Sequence, residues 1–205
     1  MELKSYEPGT RKRDQLLFTL KENAIFLFGI VGILWGIEIL DFILRGALDN
    51  FGVKPRHIPG LFGILTAPFL HLGFGHLISN TVPFLILGGI VLVGGRRAFI
   101  AVSFFIILVG GGALWLFGPS YTNHIGASSV IFGYLGFLMS RGIFEKSGFW
   151  FAVSVGIAIL YGGMVFGVLP GTPGVSWQGH LFGFIAGILA AWMLFSKNQS
   201  VLVNR

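Results

Sequence analysis

Residues 126–140 read GASSVIFGYLGFLMS. The segment is apolar but short, since a lipid-exposed helix needs about 20 residues to cross the hydrocarbon core. A helix of this length suits a membrane at the centre of a bundle, shielded by longer neighbours and reached through a cavity. Two adjacent serines, Ser128 and Ser129, stand at its start. Alone, such small residues are usually helix-packing positions rather than chemistry.

The rest of the chain supplies the neighbours. Of its 205 residues, 54% are hydrophobic and only 11% are charged, against about 25% in a soluble domain. Mean hydropathy is +0.83. Six segments read as transmembrane helices, at 24–44, 76–95, 98–118, 126–140, 149–168 and 178–196. The fold class is therefore all-α: a six-helix membrane bundle with a short central fourth helix. Neither repeats nor a linker divide it. The expected organisation is a basic cytoplasmic segment at 1–23, a membrane domain at 24–196 and a cytoplasmic tail at 197–205. The first apolar run is too long for a signal-peptide core and lacks a small-residue cleavage site after it, so it reads as an uncleaved span.

Charge sets the orientation. The net charge of +6 in a soluble protein would raise nucleic-acid binding, but here the cations lie between apolar runs. With the N-terminus inside, eleven lysines and arginines fall on the cytoplasmic side: Lys4, Arg11, Lys12, Arg13, Lys21, Arg96, Arg97, Arg141, Lys146, Lys197 and Arg205. Three, Arg45, Lys54 and Arg56, fall outside. That asymmetry argues for six spans with both termini in the cytoplasm and against nucleic acid as the partner. Trp115 and Trp177 mark outer boundaries, Trp150 and Trp192 inner ones, and Trp35 is a mid-span packing residue. The long apolar loop 45–75 is expected to dip into the interface and pack on the bundle, where protein must satisfy its backbone. The uncharged loop 169–177, LPGTPGVSW, is expected to be mobile.

Topology then brings polar residues to one depth. Ser128 and Ser129 open the fourth helix, His180 opens the sixth, and His76 opens the second with Asn80 one turn further on the same face. Polar groups in apolar spans are costly and usually face the interior and act there. A serine beside a neutral histidine is the minimum for nucleophilic catalysis. The eight carboxylates include none in helices two to six except Glu145, across the membrane, so a Ser-His dyad is expected rather than a triad. His76, Asn80 and the Ser128 backbone N–H are candidate oxyanion donors. Zinc is disfavoured: His71 and His76 are five apart, no HExxH occurs, and no acid is at hand as base. With no cysteine, thiolate chemistry, disulfides and Cys-ligated metals are excluded. No cofactor or metal is expected. Gly179, Gly183 and Gly187 form one small-residue stripe, and Ser129 with Gly133 another; both would let helices four and six approach closely.

HLGFGHLISN at 71–80, GASS at 126–129 and GHLFGFIAG at 179–187 together resemble the rhomboid intramembrane serine proteases, in order and on the matching spans. Those enzymes carry HxxxN on the second span, GxSG on the fourth and a histidine followed by GxxxG on the sixth. The resemblance covers about residues 58–195. It implies Ser128 as nucleophile, His180 as base, and His76 and Asn80 as oxyanion side chains. It further implies Gly126 as the first motif glycine, Phe132 as the aromatic packed on the base, Gly183 as helix packing and His71 as structural. Ser129 departs from the pattern, which has glycine there; it could crowd the site or offer a second hydroxyl. Depth and spacing do not choose between the serines, so the choice of Ser128 rests on the family register.

The expected function is an intramembrane serine endopeptidase cutting transmembrane segments near the outer leaflet. Its partners would be membrane-protein substrates and the bilayer. Substrate spans must unwind to expose a carbonyl, which favours helix breakers near the cut. The resemblance adds a small residue before the cut and lateral access near helices two and five, gated by 169–177. The alternative is a catalytically inactive relative that binds client transmembrane helices. The expected location is a prokaryotic plasma membrane, with the site open to the outer side.

Overall fold

The structure is a computed structural model describing residues 8–171 and 174–196. The expected tail at 197–205, the first seven residues and the middle of the 169–177 loop lie outside the described residues. Among the described residues six helices carry the fold: α1 (Pro8–Ile43), α2 (Gly73–Leu92), α3 (Arg96–Phe117), α4 (Ser128–Glu145), α5 (Gly148–Tyr161) and α6 (Trp177–Phe195). A 3₁₀ extension, Gly162–Val168, continues α5. The described residues contain no strand, only an isolated antiparallel bridge between Val53 and His124.

The stops and starts follow from local chemistry. Pro8 occupies the first helical position of α1, where its fixed φ suits the first turn and its missing N–H costs nothing. The helix thus runs through most of the segment expected as a separate polar head. Left-handed Arg45 and Gly46 (φ 57 and 80) end it, with the Gly46 N–H donating to the Asp41 carbonyl. Ser147 caps α5 by accepting from the Trp150 N–H, and Ser176 caps α6 by accepting from the Gly179 N–H.

Leu17–Ile43, Gly73–Leu92, Arg96–Phe117, Gly148–Val168 and Trp177–Phe195 are each long and apolar enough to cross a membrane. The chain is therefore a multi-pass, all-helical membrane protein. α4 is less apolar because it does not face lipid: twelve of its eighteen residues are buried. It begins two residues later and runs five residues beyond the expected 126–140, so it is central without being the shortest helix. Its polar groups find partners inside the bundle. The Ser140 hydroxyl donates to the Gly136 carbonyl at 2.7 Å. Arg141 is 7% exposed, pairs with Glu145 at 2.5 Å and lies 3.3 Å above the Trp150 ring.

Glycine lets α6 lie directly against α4. A Cβ on Gly183 would land on the Ser129 carbonyl, and one on Gly187 on the Gly133 carbonyl. On the other side a Cβ on Gly110 of α3 would sit 3.2 Å from the Gly183 Cα. Van der Waals contact at this range is the main source of cohesion between helices in lipid.

The 44–72 connection packs on the bundle as expected, through short turns at Leu48–Phe51, Ile58–Leu61, Gly63–Thr66 and Ala67–Phe69. The Arg56 guanidinium donates to the carbonyls of Leu116 and Gly118 at 3.1 and 2.8 Å, at the negative end of α3. The Trp115 indole donates back to the His57 carbonyl at 2.9 Å. Ile58, Phe62 and Leu72 stay exposed, which suits a loop lying at the edge of a bilayer. Asp41 accepts from the Leu48 N–H at 2.7 Å, tying α1 to this loop. Trp35 is a packing residue that also donates to Thr81 of α2 at 3.2 Å.

Candidate active site

The N-terminus of α4 is held from behind. The Gly126 N–H donates to the Ala67 carbonyl at 2.9 Å, and the Ala127 N–H donates to His71 Nε2 at 3.3 Å. His71 can accept only when neutral. Its ring is 1% exposed, and burial, with His76 beside it, pushes it down to about 4. Desolvation thus keeps it in the protonation state its structural task needs. Ser128 then opens the helix, where the first N–H groups have no intrahelical partner and point outward.

Two side chains of α2 converge on Gly126. The Leu72 N–H donates to His76 Nδ1 at 3.3 Å, so the His76 proton sits on Nε2. That nitrogen would lie 2.9 Å from a Cβ on Gly126, and Asn80 Nδ2 would lie 3.6 Å from it. Gly126 itself has φ 119. Both its left-handed backbone and the closeness of His76 require glycine there. Asn80 Nδ2 is buried and has no partner among the described residues. A buried donor left unpaired costs about 1–3 kcal/mol, a cost that an acceptor arriving beside Gly126 would relieve.

His180 lies in the first turn of α6. Its Nδ1–H donates to the Gly167 carbonyl at 3.0 Å, leaving Nε2 as the free acceptor. Phe132 of α4 stacks on the imidazole at 4.0 Å with planes 7° apart. One ring face and one nitrogen are therefore fixed, which aims the other nitrogen. The tight fit extends to Gly167, whose Cβ would meet Phe132 at 2.7 Å and His180 Nδ1 at 3.5 Å.

A cleft of about 710 Å³ collects these groups, its lining including Ser128, His180, His76, Asn80 and Phe132. Ser128 and His180 share it without a hydrogen bond to one another. Ser129 lines a separate cavity of about 30 Å³ with Gly110, Gly111 and Gly179. Ser128 belongs to both spaces, Ser129 only to the smaller one. Gly183 lies at the α4–α6 contact beneath His180. No cluster of metal-ligating side chains occurs among the described residues.

Two groups of the cleft carry no sequence signature. The Gly167 carbonyl fixes the His180 tautomer, and a backbone oxygen is the same in any residue. His124 of the NHIG stretch is buried in the cleft wall and bonded to Ser176. Its only signal was a titratable residue next to the motif.

Comparison with known proteins agrees with this architecture. Residues 59–197 match the family described as Rhomboid domain. An uncharacterised protein of Mycobacterium leprae is 38% identical over 204 residues, covering 95% of this chain and 79% of the relative. An uncharacterised protein of Mycobacterium tuberculosis is 38% identical over 200 residues, covering 94% and 82%.

Proposed function

The chain belongs to the rhomboid family, and on that premise we propose that it is an intramembrane serine endopeptidase acting through Ser128 and His180. The observation that carries this reading is the orientation of His180. With Nδ1–H committed to Gly167, Nε2 is the basic nitrogen, and it shares a cleft with a serine at a helix N-terminus. His180 Nε2 takes the Ser128 proton as Oγ attacks the scissile carbonyl carbon. The oxyanion that forms is met by Asn80 Nδ2–H, His76 Nε2–H and the Ser128 N–H. Collapse breaks the C–N bond, and His180 returns the proton to the leaving amine. A water then adds to the acyl-enzyme with His180 again as base, releasing the acid and restoring Ser128.

The accompanying topology is six spans with both ends in the cytoplasm. It places the cleft at the outer side of a prokaryotic plasma membrane, within reach of membrane-protein substrates. The arginine and lysine asymmetry supports this orientation. Substrates would be spans with helix breakers near that leaflet, because a helical amide offers no free carbonyl face.

Serine-directed fluorophosphonate labelling of the purified protein tests the reading. Label on wild type, lost in Ser128→Ala and kept in Ser129→Ala, is the expected pattern. The reverse pattern moves the nucleophile by one residue. A folded wild type that takes no label favours the second reading, a client-binding protein without activity, for which Ser129 in place of the motif glycine is the supporting feature.

A further inference from the structure

His124 sits in the cleft wall, and its hydrogen bonds lead to the turn that carries the base. Thr122 donates its single hydroxyl proton to the Pro119 carbonyl at 2.6 Å. Its oxygen, 2.7 Å from His124 Nε2, must then accept. The Nε2 of His124 is therefore protonated, and Nδ1 is an acceptor. The Ser176 hydroxyl donates to that Nδ1 at 2.6 Å and accepts from the Gly179 N–H at 3.2 Å. The Ser176 carbonyl accepts the His180 N–H at 3.1 Å. A directed chain thus runs from the loop before Ser128, through one imidazole and one serine, to the turn that carries His180.

The side chain makes the Thr122 and Ser176 hydrogen bonds. The His124 backbone is pinned separately, exchanging two 2.9 Å hydrogen bonds with Val53. Removing the imidazole leaves that loop in place and cuts its link to α6. Burial pushes His124 downward from its ordinary value, in keeping with a neutral ring that donates on one side and accepts on the other. Below, Gly183 and Gly187 lock α6 onto α4. The first turn lies above that lock, and Gly171 and Gly174 in the segment leading into it are weak anchors.

We propose that His124 is a positioning residue for proteolysis: by holding Ser176 it fixes the first turn of α6 and with it the aim of His180 at Ser128. The proposal rests on the protease reading above. It assigns the two serine–histidine pairs of this region different work, Ser128–His180 for chemistry and Ser176–His124 for alignment.

Fluorophosphonate labelling rates and cleavage of a helix-destabilised model span, on purified protein, test it. His124→Ala should label and turn over about 10- to 100-fold more slowly, as expected for a base displaced by about 1 Å. KM should stay near the wild-type value. His124→Gln, whose amide can both accept from Ser176 and donate to Thr122, should recover most of the rate. The double variant with Ser176→Ala should be no slower than the worse single one, since both cut one chain. Wild-type rates in His124→Ala, or additive losses in the double variant, overturn the proposal. So does equal loss in His124→Ala and His124→Gln accompanied by equal loss of thermal stability. A wild type that takes no label at Ser128 overturns the protease reading, and this proposal with it.

Discussion

Gly183→Ala tests whether the α4–α6 contact sets the catalytic geometry. The added Cβ would land on the Ser129 carbonyl, 2.0 Å from its oxygen and 2.9 Å from its carbon. Non-bonded heavy atoms rest at about 3.5–4.0 Å, so the helices must separate locally by about 1 Å or more. Both obstacles are main chain within a helix and cannot rotate away. Overpacking of this kind costs about 1–3 kcal/mol. The same displacement acts next to Ser128 and one turn below His180, where about 1 Å is worth roughly 100-fold in rate. Gly187→Ala makes the matching clash with Gly133 two turns from His180. It should destabilise comparably while slowing labelling much less. Gly112→Ala, with nothing near its Cβ, serves as control. Thermal melting and fluorophosphonate labelling rates in one detergent check all three. Wild-type labelling by Gly183→Ala would refute the reasoning, as would equal rate losses in the Gly183 and Gly187 variants.

Acid should loosen the α4 N-terminus through His71. Its value falls from an ordinary 6.5 to about 4 on folding, so its contribution is complete above pH 6.5 and drains away as pH falls from 6.5 towards 4. By linkage the difference is about 3 kcal/mol; melting across that window checks it, and His71→Gln should flatten the profile. Gly126→Ala should abolish labelling without global unfolding, because a Cβ at φ 119 would meet His76 Cε1 at 2.6 Å; a labelling assay with a melting control decides. Tyr134→Phe should cost about 1 kcal/mol and leave activity unchanged, since only its 2.6 Å bond with Ser103 is lost and Ser103 keeps the Phe99 carbonyl. Melting and cleavage rates measured together test that separation.

The helical bundle was legible because membrane spans are written in composition: each of the six expected spans lies on a helix, and five of those helices are long and apolar enough to cross a membrane. The site was legible in part for the same reason. Once the spans are placed, the depths of Ser128, His180, His76 and Asn80 follow from 1.5 Å of rise per residue, and Phe132 came with the family register. Boundaries were less legible. α4 outruns its apolar stretch because protein rather than lipid surrounds Arg141 and Glu145, and hydropathy reads only lipid exposure.

Tertiary structure decided what depends on direction. Azimuth, set by the Gly183 and Gly187 contacts, puts Ser128 in the main cleft and Ser129 in the small cavity behind it. The tautomers of His76, His180 and His124 each follow from a hydrogen bond that only the fold supplies: the Leu72 N–H, the Gly167 carbonyl, and Thr122 with Ser176, the last 52 residues away. The physical reason is that periodicity and hydropathy report how deep a residue sits. Which nitrogen carries the proton depends on a hydrogen bond, and backbone oxygens such as that of Gly167 have no letter in the sequence.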